Sequence, residues 1–151
     1  NKKGIVILVN KWDLHNKSTD SVKKFEEQIK QKIAPFSDVP IMFVSVLEKQ
    51  RLLKGLKIAI SVYTNRLQKI KTSVLNELML PLIEKHPPPA FKGKYIKIKY
   101  CTQLSTHTPT FVFFANLPQY IKEDYKRYIE NQIREYFDFS GIPIQIYFRK
   151  K

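Results

Sequence analysis

Along residues 4–9 the apolar side chains run together instead of alternating, which predicts a short strand buried on both faces. A helix follows to about Ile33, with Thr19 placed to cap its start. Val22, Phe25, Ile29 and Ile33 fall on one stripe, and Pro35 closes the helix. Residues 41–44 form a second apolar run, entered from Pro40. Leu53, Leu56, Ile60, Tyr63 and Leu67 then recur at 3-4-3-4 spacing, the mark of a long amphipathic helix. Residues 1–70 therefore read strand, helix, strand, helix, an α/β half-domain of the doubly wound type.

The pattern changes after residue 70. Residues 73–86 are helical, with Val74, Leu75, Leu78 and Leu82 expected inward and Pro81 expected to kink the rod. Pro87-Pro88-Pro89 makes a stiff connector. Strands are expected over 95–102 and 110–116. A helix is expected over 120–137, with Ile121, Tyr125, Tyr128, Ile129, Ile133 and Phe137 on one side. Gly141 is placed as its C-terminal cap and 142–149 as a closing strand. This α-β-β-α-β unit, residues 71–151, is an α+β domain. In its first strand Ile96, Ile98 and Tyr100 alternate with Lys97 and Lys99. In its last, Ile144, Ile146 and Phe148 alternate with Gln145, Tyr147 and Arg149. One face should pack on helices and the other should be basic and aromatic, or simply solvated. Phe111-Val112-Phe113-Phe114 is apolar on both faces, so its outer side is expected to meet a partner.

Charge narrows the choice of partner. The 151 residues carry 27 Lys and Arg against 13 Asp and Glu, a net +14. The excess favours a polyanion, nucleic acid before an anionic membrane surface, although a Lys-rich composition alone gives the same number. Residues 1–70 hold 14 basic and 6 acidic side chains and residues 71–151 hold 13 and 7, so neither unit monopolises it. No apolar run approaches the ~18 residues of a membrane span. With a single cysteine, Cys101, no intrachain disulfide forms, and His15, His86 and His107 lack ligand spacing. A cytoplasmic location without a membrane or metal role is expected.

The chemistry lies where the apolar runs stop. Asn10-Lys11-Trp12-Asp13 fits N-K-x-D, by which GTPases read guanine. The base presents N1–H and N2–H₂ side by side, and the Asp13 carboxylate accepts both. Asn10 bonds the N7 edge or braces the neighbouring loop, and the Lys11 stem covers the ring. Thirty-five residues after Asn10 the second strand ends in Ser45-Val46-Leu47. There a backbone N–H would meet the guanine oxygen and the serine hydroxyl would support Asp13. Ligands of open α/β sheets bind at such strand exits. A strand exit capped by Asn and Asp is the plainer alternative. There is no G-x-x-x-x-G-K-[ST] phosphate loop. Asp138-Phe139-Ser140-Gly141 spells D-x-x-G, but it follows the guanine motifs and reads as structural. The expectation is the base-reading part of a GTPase, cut from a longer protein.

The stretches 72–89 (TSVLNELMLPLIEKHPPP), 97–118, 125–137 and 141–151 (GIPIQIYFRKK) resemble the Der (EngA) family of bacterial GTPases. The resemblance implies two tandem GTPase domains followed by a KH-like domain, with residues 1–70 the end of the second GTPase domain and 71–151 the KH-like one. It implies a role in assembling the large ribosomal subunit, switched by GTP hydrolysis with Mg²⁺. Asn10, Lys11, Asp13 and Ser45 match the family's guanine motifs, and Leu47 stands in its second loop. Val46 replaces the usual Ala, no Gly follows Leu47, and His107-Thr108 and Pro81 also depart from the pattern. The G-x-x-G clamp of nucleic-acid-binding KH domains is missing as well.

Several expectations follow. Residues 1–151 alone should neither hydrolyse GTP nor hold nucleotide tightly. Ribosomal RNA and the other GTPase domains are the expected partners. Lys97, Lys99, Arg149, Lys150 and Lys151 are the expected contacts, and exposed apolar surface should promote self-association. A stand-alone RNA-binding module on an inert α/β scaffold is the rival reading.

Overall fold

A computed structural model describes residues 3–14, 19–34, 36 and 38–150. The His15 position, the Thr19 side-chain cap and Pro35 lie outside the described residues and side chains. The described chain forms two compact units, Asn1–Arg66 with Phe139–Pro143, and Leu67–Asp138 with Ile144–Lys151. Both expected classes are present, a βαβα arrangement and an α-β-β-α-β arrangement with a mixed sheet.

In the first unit β1 (Ile7–Val9) and β2 (Ile41–Phe43) pair in parallel, Ile7 opposite Ile41 and Val9 opposite Phe43. Helix α1 (Thr19–Ile33) follows β1, and α2 (Leu52–Arg66) follows β2. The core gathers Trp12, Val39, Met42, Phe43, Val44 and Val62, all buried. β1 is shorter than the apolar run suggests and is not buried on both faces, since Leu8 is 50% exposed.

Helix α2 departs most from the expected packing. Leu53, Leu56, Ile60 and Tyr63 are all exposed, and its buried residues are Gly55 and Val62. The reason is steric. A Cβ on Gly55 would stand 3.2 Å from Leu8 Cδ2, so the missing side chain lets the helix lie close on the strands. The narrow face goes inward and the broad apolar stripe goes outward. Leu67, the last residue of that stripe in sequence, is 57% exposed in the second unit.

Gly141 is also not the helix cap that was expected. α4 (Glu123–Tyr136) ends against Phe137. Gly141 instead belongs to the first unit, where its N–H donates to the Asp38 carbonyl at 2.6 Å and its carbonyl accepts from Ile5 N–H at 2.8 Å.

In the second unit a three-stranded sheet has the order β3 (Ile98–Leu104), β4 (Thr110–Ala115), β5 (Gln145–Lys150), antiparallel then parallel. Phe111, Phe113 and Ile146 are buried, and Phe113 and Phe148 lie 5.8 Å apart on the face turned to Tyr125 of α4. Each such side chain is worth about 1.5–3 kcal/mol of burial. Val112, on the opposite face, is also buried at 1% exposure. Helix α3 (Thr72–Lys85) buries Leu75, as expected, together with Met79 and Ile83, whereas the expected Leu78 and Leu82 are half-buried and Val74 is exposed. It continues past Pro81, whose ring faces solvent.

α3 also closes the free edge of β3. The Asn76 amide donates to the Cys101 carbonyl at 2.7 Å and accepts from Cys101 N–H at 2.9 Å, as a neighbouring strand would. Gln103 does the same for the segment before α3, bonding Ile70 N–H and the Gln68 carbonyl. The expected alternation of β3 fails at one point. An irregularity between Ile98 and Tyr100 inserts Lys99 and reverses the phase, so Cys101 is buried while Tyr100 is 40% exposed.

Candidate functional site

Parallel pairing of β1 and β2 puts both guanine-type motifs at the same end of the sheet. Val44 N–H donates to the Val9 carbonyl at 2.8 Å, and Trp12 N–H to the Val44 carbonyl at 3.1 Å, so the pairing continues past the strand ends into the loops. Lys11 then turns the chain at φ 60° into a short 3₁₀ turn, Trp12–Leu14, closed by Leu14 N–H on the Lys11 carbonyl.

Trp12 had no role in the sequence pattern. It is the anchor: 6% exposed, it packs on Phe43 at 4.3 Å and edge-on to Phe25 of α1 at 5.6 Å. With Trp12 fixed, Asn10 and Lys11 on one side are exposed and Asp13 on the other is half-buried. An indole at the unspecified position of a polar motif was the signal available for this.

A bond from Val46 N–H to Asn10 Oδ1 at 3.2 Å joins the two loops across 36 residues. Asn10 therefore braces its neighbour, one of its two expected tasks. Ser45 is buried, exchanges backbone bonds with Gln50, and accepts from Glu48 N–H on Oγ at 3.2 Å. That bond leaves the hydroxyl proton available to an acceptor. Val46 and Leu47 are 51% and 85% exposed. The loop closes without glycine by holding Lys49 and Arg51 at φ 53° and 59°, the left-handed region.

The basic residues expected to touch RNA do not form one cluster. Lys97 and Lys99 are exposed at the β3 side of the second unit. Arg149 and Lys150 are exposed on β5, two strand spacings away, roughly 10 Å. Lys151 lies outside the described residues.

A further basic element went unnoticed in the sequence. Phe91 and Lys94 exchange backbone bonds around Lys92 (φ 47°) and Gly93 (φ 75°), the two left-handed central residues of a type I′ turn. Phe91 stacks on Tyr120 at 4.0 Å with Lys92 Nζ 5.6 Å from the Phe91 ring centre, and Tyr95 beside them is 78% exposed. The Lys-Gly pair between two aromatic residues was the available signal.

Among the described residues no group of three His, Cys, Asp or Glu is placed to hold a metal, and no helix is long and apolar enough to cross a membrane. Burial pushes the Cys101 thiol up to about 12. Burial, then the neighbouring Tyr128, raises Tyr125, whose hydroxyl donates to the His86 carbonyl at 2.9 Å. Both side chains are buried within the second unit.

A family described as "KH-domain-like of EngA bacterial GTPase enzymes, C-terminal" matches residues 69–149. The whole chain is 63% identical to the GTPase Der of Flavobacterium johnsoniae and 62% identical to that of Flavobacterium psychrophilum. It is 62% identical over 153 aligned positions to the GTPase Der of Bacteroides fragilis. In each case the chain spans 35% of the relative's length.

Proposed function

Because the chain belongs to the KH-domain-like family found at the C-terminus of EngA bacterial GTPase enzymes, we propose that it serves a GTP-binding protein that acts in large-ribosomal-subunit assembly. In this reading residues 1–70 supply the guanine-reading end of a GTPase domain. Residues 71–151 form a KH-like module that contacts RNA or a neighbouring domain. The observation that carries the proposal is the bond from Val46 N–H to Asn10 Oδ1. It ties an N-K-x-D loop to a Ser-Val-Leu loop at one end of a parallel strand pair, as a shared purine site requires.

The donor and acceptor set suits guanine. Asp13 offers a carboxylate to the two adjacent base donors, the Asn10 amide reaches the N7 edge, and Ser45 supports the carboxylate. Residues 1–151 contain no G-x-x-x-x-G-K-[ST] phosphate loop, so no catalytic step is assigned to them. GTP binding and hydrolysis belong to the longer polypeptide in this reading. The exposed stripe of α2 is then the face that further strands of a GTPase-type sheet cover.

The test uses the full-length polypeptide and a base exchange. Xanthine carries a carbonyl where guanine carries N2–H₂, so Asp13→Asn should weaken GDP binding by tenfold or more and improve xanthosine diphosphate binding. Unchanged GDP affinity at both nucleotide sites of that variant, with no gain for xanthosine diphosphate, rejects the guanine site. The rival reading, an RNA-binding module on an inert scaffold, has the lysines around Phe91–Lys99 in its favour. It predicts RNA binding that no purine nucleotide alters.

A further inference from the structure

Beside the Phe91–Lys94 turn lies a groove of about 440 Å³. Its walls are Leu80 and Ile83 of α3, Pro87 and Pro88 of the connector, and Ile96 and Ile98 at the start of β3. Lys97 and Lys99 line it as well, with Glu84 the one acidic residue among the lining side chains. The volume falls within the roughly 300–1,000 Å³ of clefts that take small organic groups. The chain passes from the turn to the groove wall through Tyr95. Tyr95 precedes Ile96, and Asn116 fixes the stretch, donating to the Tyr95 carbonyl at 3.1 Å and accepting from Lys97 N–H at 2.9 Å.

We infer that this turn and groove together form a site for single-stranded RNA. The inference rests on reading the second unit as an RNA-contacting module and deepens it by naming the surface. Three features converge. Tyr95, 78% exposed, offers an open ring face to a base. The groove offers an apolar, proline-floored recess for unstacked bases. Lys92, Lys94, Lys97 and Lys99 place four cations within eight residues of chain, a basic track for phosphates. Stacking on aromatics beside a cationic track is how single strands are held without a sequence code. Lys92 already lies over the Phe91 ring of the stacked Phe91–Tyr120 pair. An A-form duplex would not fit, because its bases are paired and cannot enter a recess. The site lies on the β3 side of the sheet, away from Arg149 and Lys150 on β5, and needs no G-x-x-G loop.

The test is fluorescence anisotropy of the 151-residue chain with labelled oligouridylate and oligoadenylate of roughly 12 nucleotides, without GTP. A DNA oligomer of the same length separates RNA from single strands in general. Binding is expected, with Tyr95→Ala weakening it five-fold or more. Lys97→Ala/Lys99→Ala should flatten the salt dependence by about 1.4 in log–log slope, two phosphate contacts' worth. All these side chains are exposed, so circular dichroism should not change. No binding at about 50 mM salt overturns both this site and the RNA reading of the module. Binding that ignores these variants but is lost in Arg149→Ala/Lys150→Ala overturns the groove alone. So does ultraviolet cross-linking that joins Tyr95 to a protein segment instead of to the oligomer.

Discussion

Gly141 and Gly93 share a backbone conformation and differ in their surroundings. Their φ angles are 73° and 75°, but a Cβ on Gly93 meets nothing within 4 Å. On Gly141 it would stand 2.5 Å from the Ile5 carbonyl oxygen, 2.9 Å from Pro40 Cδ and 3.3 Å from Val62 Cγ2. Gly93→Ala therefore isolates the left-handed penalty, about 1–2 kcal/mol, reduced by the 0.4–1 kcal/mol that alanine gains by restricting the unfolded chain. The net is roughly 1 kcal/mol. Gly141→Ala carries the same cost and must also push a backbone oxygen away. That movement breaks the Ile5–Gly141 and Gly141–Asp38 bonds, at roughly 0.5–1.5 kcal/mol each. The total is about 2–4 kcal/mol, a large share of the 5–15 kcal/mol available to a domain.

Urea unfolding separates the two variants. Trp12, the single tryptophan, is buried in the unit that contains Gly141 and reports on it by fluorescence. With a urea dependence of about 1–3 kcal/mol per molar, the Gly141→Ala midpoint should fall by roughly 1 M or more. Gly93→Ala should leave the Trp12 transition in place, because Gly93 lies in the other unit; ellipticity reads its small effect. Gly141→Asn refines the comparison, since Asn tolerates the left-handed region but carries the same Cβ. Equal effects of the two alanines, or full recovery in Gly141→Asn, would show that conformation and not the Ile5 contact governs the site.

Asn76→Ala leaves the Cys101 N–H and carbonyl without their edge partner and should cost about 1–3 kcal/mol. Because Cys101 is the single cysteine and has no exposure, faster labelling by an aromatic disulfide reagent gives the readout. Burial holds that thiol protonated to about 12 when folded, whereas it ionises near its ordinary 9.0 when unfolded. The unfolded chain thus loses the proton first, and stability should fall by up to about 1.4 kcal/mol per unit as pH rises above 9. Cys101→Ala should remove that component of the slope, and an unchanged slope would contradict the assignment. At Lys49 and Arg51, φ 53° and 59°, replacement by Gly relieves about 1–2 kcal/mol of left-handed cost against the 0.5–1 kcal/mol entropy of glycine. Each variant should raise the melting temperature slightly, and a clear loss would mean that the side chains hold the loop.

What the sequence made legible and what it hid divide along a physical line. The Asn10 and Ser45 loops could be read because motif chemistry and strand order are local, and parallel pairing then brings the loops together without further information. The α2 stripe could not. Periodicity shows that Leu53, Leu56, Ile60 and Tyr63 share a face but not which surface covers it, and Gly55 decides that through its contact with Leu8. Lys99 is a second case. Inserting one residue reverses every following side chain of β3, and nothing in alternating Ile and Lys marks where the insertion falls. Gly141 is the third, since a left-handed glycine after a helix suits a cap equally well, and only Asp38 and Ile5, more than a hundred residues earlier, claim it. For α2 and Gly141 a long-range contact decides what the local pattern leaves open. The α2 stripe therefore gives the sharpest check on the proposed GTPase-type half-domain. If further strands cover it in the longer polypeptide, the 151-residue chain should self-associate in sedimentation, and Leu56→Lys/Ile60→Lys should abolish that without unfolding α2. The same pair in the full-length polypeptide should instead destabilise the folded state by several kcal/mol, because two charges would be buried without partners. Tolerance of both lysines there would mean that the stripe faces solvent in the longer protein too, and that residues 1–70 do not complete such a sheet.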